Sequence, residues 1–156
     1  MSIKMLVMDV DGTLTDGHIY VGAEGEMMKA FHVQDGYAIA HVLPVKGIVP
    51  VIITGRSSKI VERRAAELKI SHLHQGISDK LTKLREVAAE LGACAEEIAY
   101  IGDDLNDLDC IRYCGLTACP ADAVPEVLKA VDYVCSRNGG RGAVREFIDK
   151  FMSEAK

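Results

Sequence analysis

Asp9 and Asp11 stand two residues apart at the end of the apolar run Met5 to Val10, with Gly12 directly behind them. An apolar run that ends in carboxylates and a glycine reads as a buried strand feeding a tight turn. On a continuing strand the two side chains would point to opposite faces, but Gly12 permits a turn that brings both to one opening. Paired carboxylates in that position can hold a hard cation, and one of them can attack phosphorus. Other candidates occupy comparable places: Thr54 closes the apolar run Ile48 to Ile53, and Asp103 and Asp104 follow the run Ile98 to Ile101. Lys80 falls in the first turn of a helix marked by Leu81, Leu84, Ala88 and Leu91. The helix dipole there disfavours a cation by about 0.3 to 1 kcal/mol, so a functional role would explain a locally poor position. Each of these has a plainer reading when taken alone. Asp-Gly is a common turn, Thr54 a β-branched strand residue, Asp103 and Asp104 helix caps, and Lys80 a solvated lysine.

The elements that must position these residues follow from the pattern along the chain. After the first strand, Ile19 to Val21 and Met27 to Val33 flank the turn-rich Gly22 to Gly25 and predict a hairpin over the Asp9 end. Asp35 and Gly36 punctuate the chain before a short helix over Tyr37 to Leu43. A strand over Ile48 to Ile53 leads to a helix over Ser57 to Leu68, with Ile60, Val61, Ala65 and Leu68 inward. Ser71 to His74 is a short strand, and Ser78 and Gly92 are the expected cap and stop of the Lys80 helix. Strands over Ile98 to Ile101, Leu116 to Cys119 and Asp132 to Cys135 alternate with helices over Leu105 to Cys114 and Pro125 to Val131. Gly139 to Gly142 is expected as a flexible break before a closing helix that carries Val144, Phe147, Ile148, Phe151 and Met152. This alternation predicts an α/β fold with a doubly wound, Rossmann-like parallel sheet in one domain, 1–156, whose ligands bind beyond the C-terminal strand ends.

Composition excludes several classes of function. A net charge of -5 argues against nucleic acid or an anionic membrane as partner, since both demand a basic face. No apolar run approaches the roughly 20 residues of a membrane span, and nothing over Met1 to Met5 reads as a signal peptide. Five cysteines without a C-x-x-C pair fit neither a disulfide framework nor a zinc ribbon, so a reducing cytoplasm is the expected setting.

The string D-V-D-G-T-L-T from Asp9 to Thr15 resembles the first motif of the haloacid dehalogenase superfamily, whose phosphatases use D-x-D-x-[TV]-L-[TV]. The T-G-R at Thr54 to Arg56, the lysine Lys80 and the G-D-D-x-x-D from Gly102 to Asp107 match the remaining motifs in order. The resemblance implies Asp9 as nucleophile, Asp11 as general acid and then base, and Thr54 and Lys80 as ligands of the phosphoryl oxygens. It implies magnesium held by Asp9, the backbone carbonyl of Asp11 and Asp103, with Asp104 and Asp107 steering Lys80 or the metal's water. The members usually carry an inserted cap domain, for which this chain has no room.

Over nearly the full length the resemblance sharpens to the family of 3-deoxy-D-manno-octulosonate 8-phosphate phosphatases. It is carried by F-H-V-Q-D-G-Y-A-I at Phe31 to Ile39, I-T-G-R at Ile53 to Arg56, H-L-H-Q-G at His72 to Gly76 and G-G-R-G-A-V-R-E at Gly139 to Glu146. That family hydrolyses a sugar-acid phosphate in lipopolysaccharide biosynthesis and forms homotetramers whose subunits complete each other's sites. The resemblance adds Gln34, Gly36, Arg56, Arg64 and Arg141 as candidate substrate contacts. A related family acting on deoxynononate 9-phosphate has glutamate where this chain has Arg56, and an arginine suits a substrate carboxylate. Two other readings compete. Cys135 to Arg141 fits the C-x5-R loop of cysteine-dependent phosphatases, and a non-hydrolytic phosphoacceptor domain also combines a doubly wound fold with an acidic cluster.

Overall fold

The computed structural model describes residues 2–153; Met1 and residues 154–156 of the expected domain lie outside the described residues. Strand β1 (Met5–Met8) lies between β4 (Val49–Ile53) and β6 (Ile98–Ile101) in a parallel sheet, continued by β5 (His72–His74) beyond β4 and by β7 (Leu116–Cys119) and β8 (Tyr133–Val134) beyond β6. Every residue of β1 is buried because helices cover both faces, which is why the strand reads as an unbroken apolar run. Leu6 and Met8 join one core layer with Val61 and Ala65 of α2 (Lys59–Glu67) and Val144, Phe147 and Ile148 of α6 (Ala143–Phe151). Met5 and Val7 face the other way, toward Leu84 and Val87 of α3 (Lys80–Leu91), Cys110 and Ile111 of α4 (Leu108–Tyr113) and Val127 of α5 (Pro125–Ala130). The fold is therefore doubly wound, as the alternation predicts.

Register brings the chemistry to one edge. Met8 pairs with Ile52 on one side and Ile101 on the other, so Asp9, Thr54 and Asp103 all emerge at the same end of three adjacent strands. The order of connection reverses between β1 and β6, which is where open α/β sheets form a ligand crevice. Pro50 sits inside β4, which has neighbours on both sides, yet no ladder bond is lost. The amide of Val49 points to β1, so the nitrogen of Pro50 points to the β5 side, and β5 begins only opposite Val51.

Several boundaries differ from the sequence reading. The hairpin is present as β2 (Tyr20–Gly22) and β3 (Gly25–Met28), but its second strand stops well short of Val33. The helix expected to start at Tyr37 begins instead as α1 (Val33–Tyr37) and continues through Ala38–Val42, because the His32 ring caps it by accepting from the Gln34 amide. Asp35 and Gly36 are thus helical rather than punctuation. The cap of α3 is Asp79, not Ser78, and Lys80 is its first residue. Phe151 is half exposed, its ring edge-on to Tyr133. The break at Gly139 to Gly142 is tightly built: a Cβ on Gly139 would stand 1.9 Å from the Gly12 carbonyl oxygen, and Gly140 donates its amide to Thr13. Those glycines permit close backbone approach to the Asp9 turn. Among the described residues no helix is long and apolar enough to cross a membrane.

Candidate active site

Asp9, just past β1, is almost fully buried, and its Oδ1 lies 3.1 Å from the Lys80 Nζ. The same ammonium lies 2.9 Å from Oδ1 of Asp107, a fully buried carboxylate. Asp107 also accepts from the Tyr100 hydroxyl at 2.5 Å and from the amides of Asp103 and Asp104. Its lone pairs are therefore taken up by four donors, and Asp107 acts as the hub that fixes Lys80 and the loop after β6. The Thr13 hydroxyl donates to Asp103 Oδ1 at 3.0 Å, and Gly12, with φ +93°, leaves room for Asp103 where a Cβ would stand 2.0 Å from its Oδ2. Asp104 caps its own turn by accepting from the Leu105 amide and has its side chain at the mouth.

Oxygens of Asp9, Asp103 and Asp107 lie within 4.8 Å of one another. Three carboxylates that close, with one lysine, carry an uncompensated negative charge. Burial and then the neighbouring Asp9 and Asp107 push the Asp103 carboxyl up to about 9, and burial followed by Asp107 also raises Asp9 against the pull of Lys80. Burial opposes the charged form of Lys80, but Asp9 and Asp107 more than offset it and the lysine stays an ammonium. An all-oxygen cluster with surplus charge fits a hard divalent cation, and Asp9 and Asp103, whose oxygens are not all engaged, suit it better than Asp107.

In front of this cluster is a cleft of about 140 Å³ lined by Asp9, Asp11, Thr54, Gly55, Arg56, Asp104 and Asn106. Thr54 is held at both ends of its peptide, donating to His74 and accepting from Ile77. Arg56 is half exposed at the rim, 3.8 Å from Asp11 and 3.9 Å from Glu26. Sequence reasoning missed Lys29 and Glu26, which the hairpin carries into the site. Lys29 meets Asp11 at 2.6 Å and Glu26 at 3.0 Å, with its side chain 2% exposed. It also missed Asn106, Thr13 and Tyr100. Of these only Thr13 was signalled, by its place in the D-x-D-G-T string.

The remaining candidates lie elsewhere. Gln34 accepts from Arg137 at 2.9 Å in a larger concavity of about 590 Å³ between α1, β8 and α6. Gly36 is buried with the Arg64 guanidinium against it, and Arg64, packed between α1 and α2, lies over the Phe31 ring and pairs with Glu67, away from the Asp9 cleft. Arg141 is exposed, its nearest anionic partner Asp16 at 3.8 Å, and it does not line the cleft of its own chain.

The Cys135 loop is not built to bind phosphate. Cys135 is buried, burial pushes its thiol up to about 12, and Sγ donates to the Ala143 carbonyl. The amides of Ser136 and Arg137 are already bonded to the Glu146 carboxylate, and that of Gly139 to Asp122. Such a loop offers no thiolate, and the amides that would ring a phosphoryl group are largely engaged.

A family model described as haloacid dehalogenase-like hydrolase matches residues 70–148. The chain is 47% identical over 151 residues to the 3-deoxy-D-manno-octulosonate 8-phosphate phosphatase KdsC of Escherichia coli K12, covering 97% of this chain and 80% of that protein. Its fold is similar to the crystal structure of the Yersinia pestis 3-deoxy-D-manno-octulosonate 8-phosphate phosphatase, with TM-score 0.93 and 48% identity over 96% of this chain and 80% of that one. The Moraxella catarrhalis phosphatase of the same name, in complex with magnesium, phosphate and KDO, aligns with TM-score 0.92 and 45% identity, covering 96% of this chain and 86% of that one.

Proposed function

Starting from the membership of this chain in the haloacid dehalogenase-like hydrolases, as a phosphatase of that family, we propose that it hydrolyses 3-deoxy-D-manno-octulosonate 8-phosphate through an aspartyl-phosphate on Asp9. The observation that carries the reading is the convergence of Asp9, Lys80, Asp103 and Thr54 at one sheet edge, next to an arginine-rimmed cleft. Asp9 attacks phosphorus in line, an Asp9–phosphorus bond forms and the bond to the sugar oxygen breaks. Asp11 protonates the departing oxygen and then takes the proton of the water that frees phosphate. Lys80 and Thr54 hold the equatorial oxygens, where charge accumulates. Magnesium, held by Asp9, Asp103 and the Asp11 carbonyl, would supply the neutralisation that an anionic nucleophile and an anionic substrate require.

Arg56 at the rim suits the carboxylate of a sugar acid and favours the octulosonate over the deoxynononate 9-phosphate. In this reading the enzyme serves lipopolysaccharide biosynthesis and acts in the cytoplasm. A phosphate-release screen over sugar-acid phosphates tests the reading. The highest kcat/KM is expected for 3-deoxy-D-manno-octulosonate 8-phosphate, and a preference for the nine-carbon acid would replace it with the alternative. Cys135→Ser is expected to retain turnover.

Metal binding should be linked to protons. Between the ordinary carboxylate value of 3.8 and about 9, metal-free folded protein keeps a proton on Asp103 that the unfolded chain has lost, so its contribution to stability falls as pH rises. Magnesium must displace that proton. Its apparent affinity, measured by calorimetric titration, is expected to tighten from pH 6 to pH 8 by up to about tenfold per unit. A pH-independent affinity would contradict this.

The active form is a homotetramer in this reading. The hairpin exposes Val21 and Met27 at 69% and Met28 at 55%, an apolar surface suited to a second copy. Arg141, standing outside its own cleft on a base clamped by Gly139 and Gly140, completes the site of a neighbouring subunit. Mixing Asp9→Asn and Arg141→Ala subunits is expected to restore part of the activity. No recovery after demonstrated subunit exchange would show that Arg141 acts within its own chain.

A further inference from the structure

Lys29 is a lysine with almost no exposed side chain, and nothing in the local sequence of the hairpin requires it to be buried. Ordering a lysine stem costs rotamer freedom, and a buried ammonium must be paired. Its partners are Asp11 at 2.6 Å and Glu26 at 3.0 Å. Glu26 in turn accepts from the hydroxyl of Ser58, the residue that caps α2. The Ser58 amide is bonded to Gln75 in the loop beyond β5, so the arrangement is anchored to the sheet end as well as to the hairpin. Among the described residues, Lys29 is the only hydrogen-bond partner of the Asp11 side chain; Arg56, at 3.8 Å, is too distant to fix it.

We infer that Lys29 is a positioning residue for the phosphatase reaction: its ammonium holds Oδ1 of Asp11, so that Oδ2 faces the cleft and can exchange a proton with the leaving oxygen. Glu26 balances the charge of Lys29, so that the lysine supplies direction rather than a net field at Asp11. The inference rests on the reading of Asp11 as general acid. It also makes the hairpin part of the catalytic apparatus, since Lys29 reaches Asp11 while Glu26 ties the hairpin to Ser58.

The dependence on leaving group tests it. A sugar phosphate expels a poor leaving group that needs a proton, whereas p-nitrophenyl phosphate expels a phenolate that does not. In Lys29→Met, kcat/KM for the sugar-acid phosphate is expected to fall about tenfold or more relative to that for p-nitrophenyl phosphate. Asp11→Asn is expected to show the same selective loss, larger in size. If Asp11→Asn is selective and Lys29→Met lowers both substrates equally or neither, the positioning role is overturned while the role of Asp11 stands. A loss without selectivity in Asp11→Asn overturns the acid reading, and the inference with it. Lys29→Arg keeps the charge inside the fold but moves the donor, and must show the same split in a smaller degree, which covers a methionine variant that does not fold.

Discussion

Asp9→Asn is expected to lower turnover by on the order of 10⁴-fold or more while leaving the protein as stable as before, or more so. The first half follows from the chemistry, since an amide of the same shape cannot attack phosphorus, and removing a nucleophile costs most of the rate enhancement. The second half follows from the surroundings of the residue. Burial and Asp107 raise the Asp9 carboxyl, so its ionised form is held in the metal-free fold at a cost. A neutral side chain removes that cost, and Asp107 still pairs with Lys80 at 2.9 Å. The rate is read by phosphate release and the stability by thermal unfolding without metal. Retained turnover would rule out Asp9 as nucleophile; a large loss of stability would show that Asp9 is held there for structure.

Lys80→Ala should behave in the opposite way, losing both activity and stability. Its ammonium is the one cation within hydrogen-bonding distance of Asp9 and Asp107 among the described residues. Removing one partner from a buried ionic cluster leaves the others uncompensated, at a cost of about 3 to 5 kcal/mol. On turnover the expected loss is about 10²- to 10³-fold in kcat, the scale of a missing donor to transition-state oxygens. Magnesium should recover part of the stability, because it returns positive charge to Asp9 and Asp103, but should not restore kcat. A variant with wild-type melting temperature and kcat would identify Lys80 as a solvated lysine. The first-turn position that the dipole disfavours is explained by this cluster: two carboxylates outweigh a penalty of about 0.3 to 1 kcal/mol.

The core of the site was legible because strand ends are easy to read. Apolar runs that stop at Asp9, Thr54 and Asp103 identify the same edge of a parallel sheet whatever the details of the helices, and the register confirms that edge. Boundaries failed where a side chain other than the expected one supplied the cap. His32 starts α1 through its ring, so Asp35 and Gly36 fall within a helix, and Asp79 displaces Ser78 because its carboxylate reaches the Thr82 amide. Lys29 and Glu26 were invisible for a different reason. Their link to Asp11 depends on how the hairpin folds back over the first strand end, and neither hydrophobic period nor turn chemistry specifies that contact. The glycines of Gly139 to Gly142 suggested freedom, yet Gly139 and Gly140 serve close packing against Gly12 and Thr15. Glycine marks close approach as well as mobility, and sequence alone does not separate the two.

The central claim is that a phosphoryl group passes through Asp9, and the most direct measurement is the site of the covalent label. The enzyme is mixed with magnesium and a stoichiometric amount of 3-deoxy-D-manno-octulosonate 8-phosphate, quenched in acid within a single turnover, and digested for peptide mass analysis. Phosphate on Asp9, in the peptide that holds Asp11 and Gly12, is the expected result, and it should be absent from Asp9→Asn. Phosphate on Cys135, or turnover that proceeds with no labelled residue at any quench time, would contradict the account.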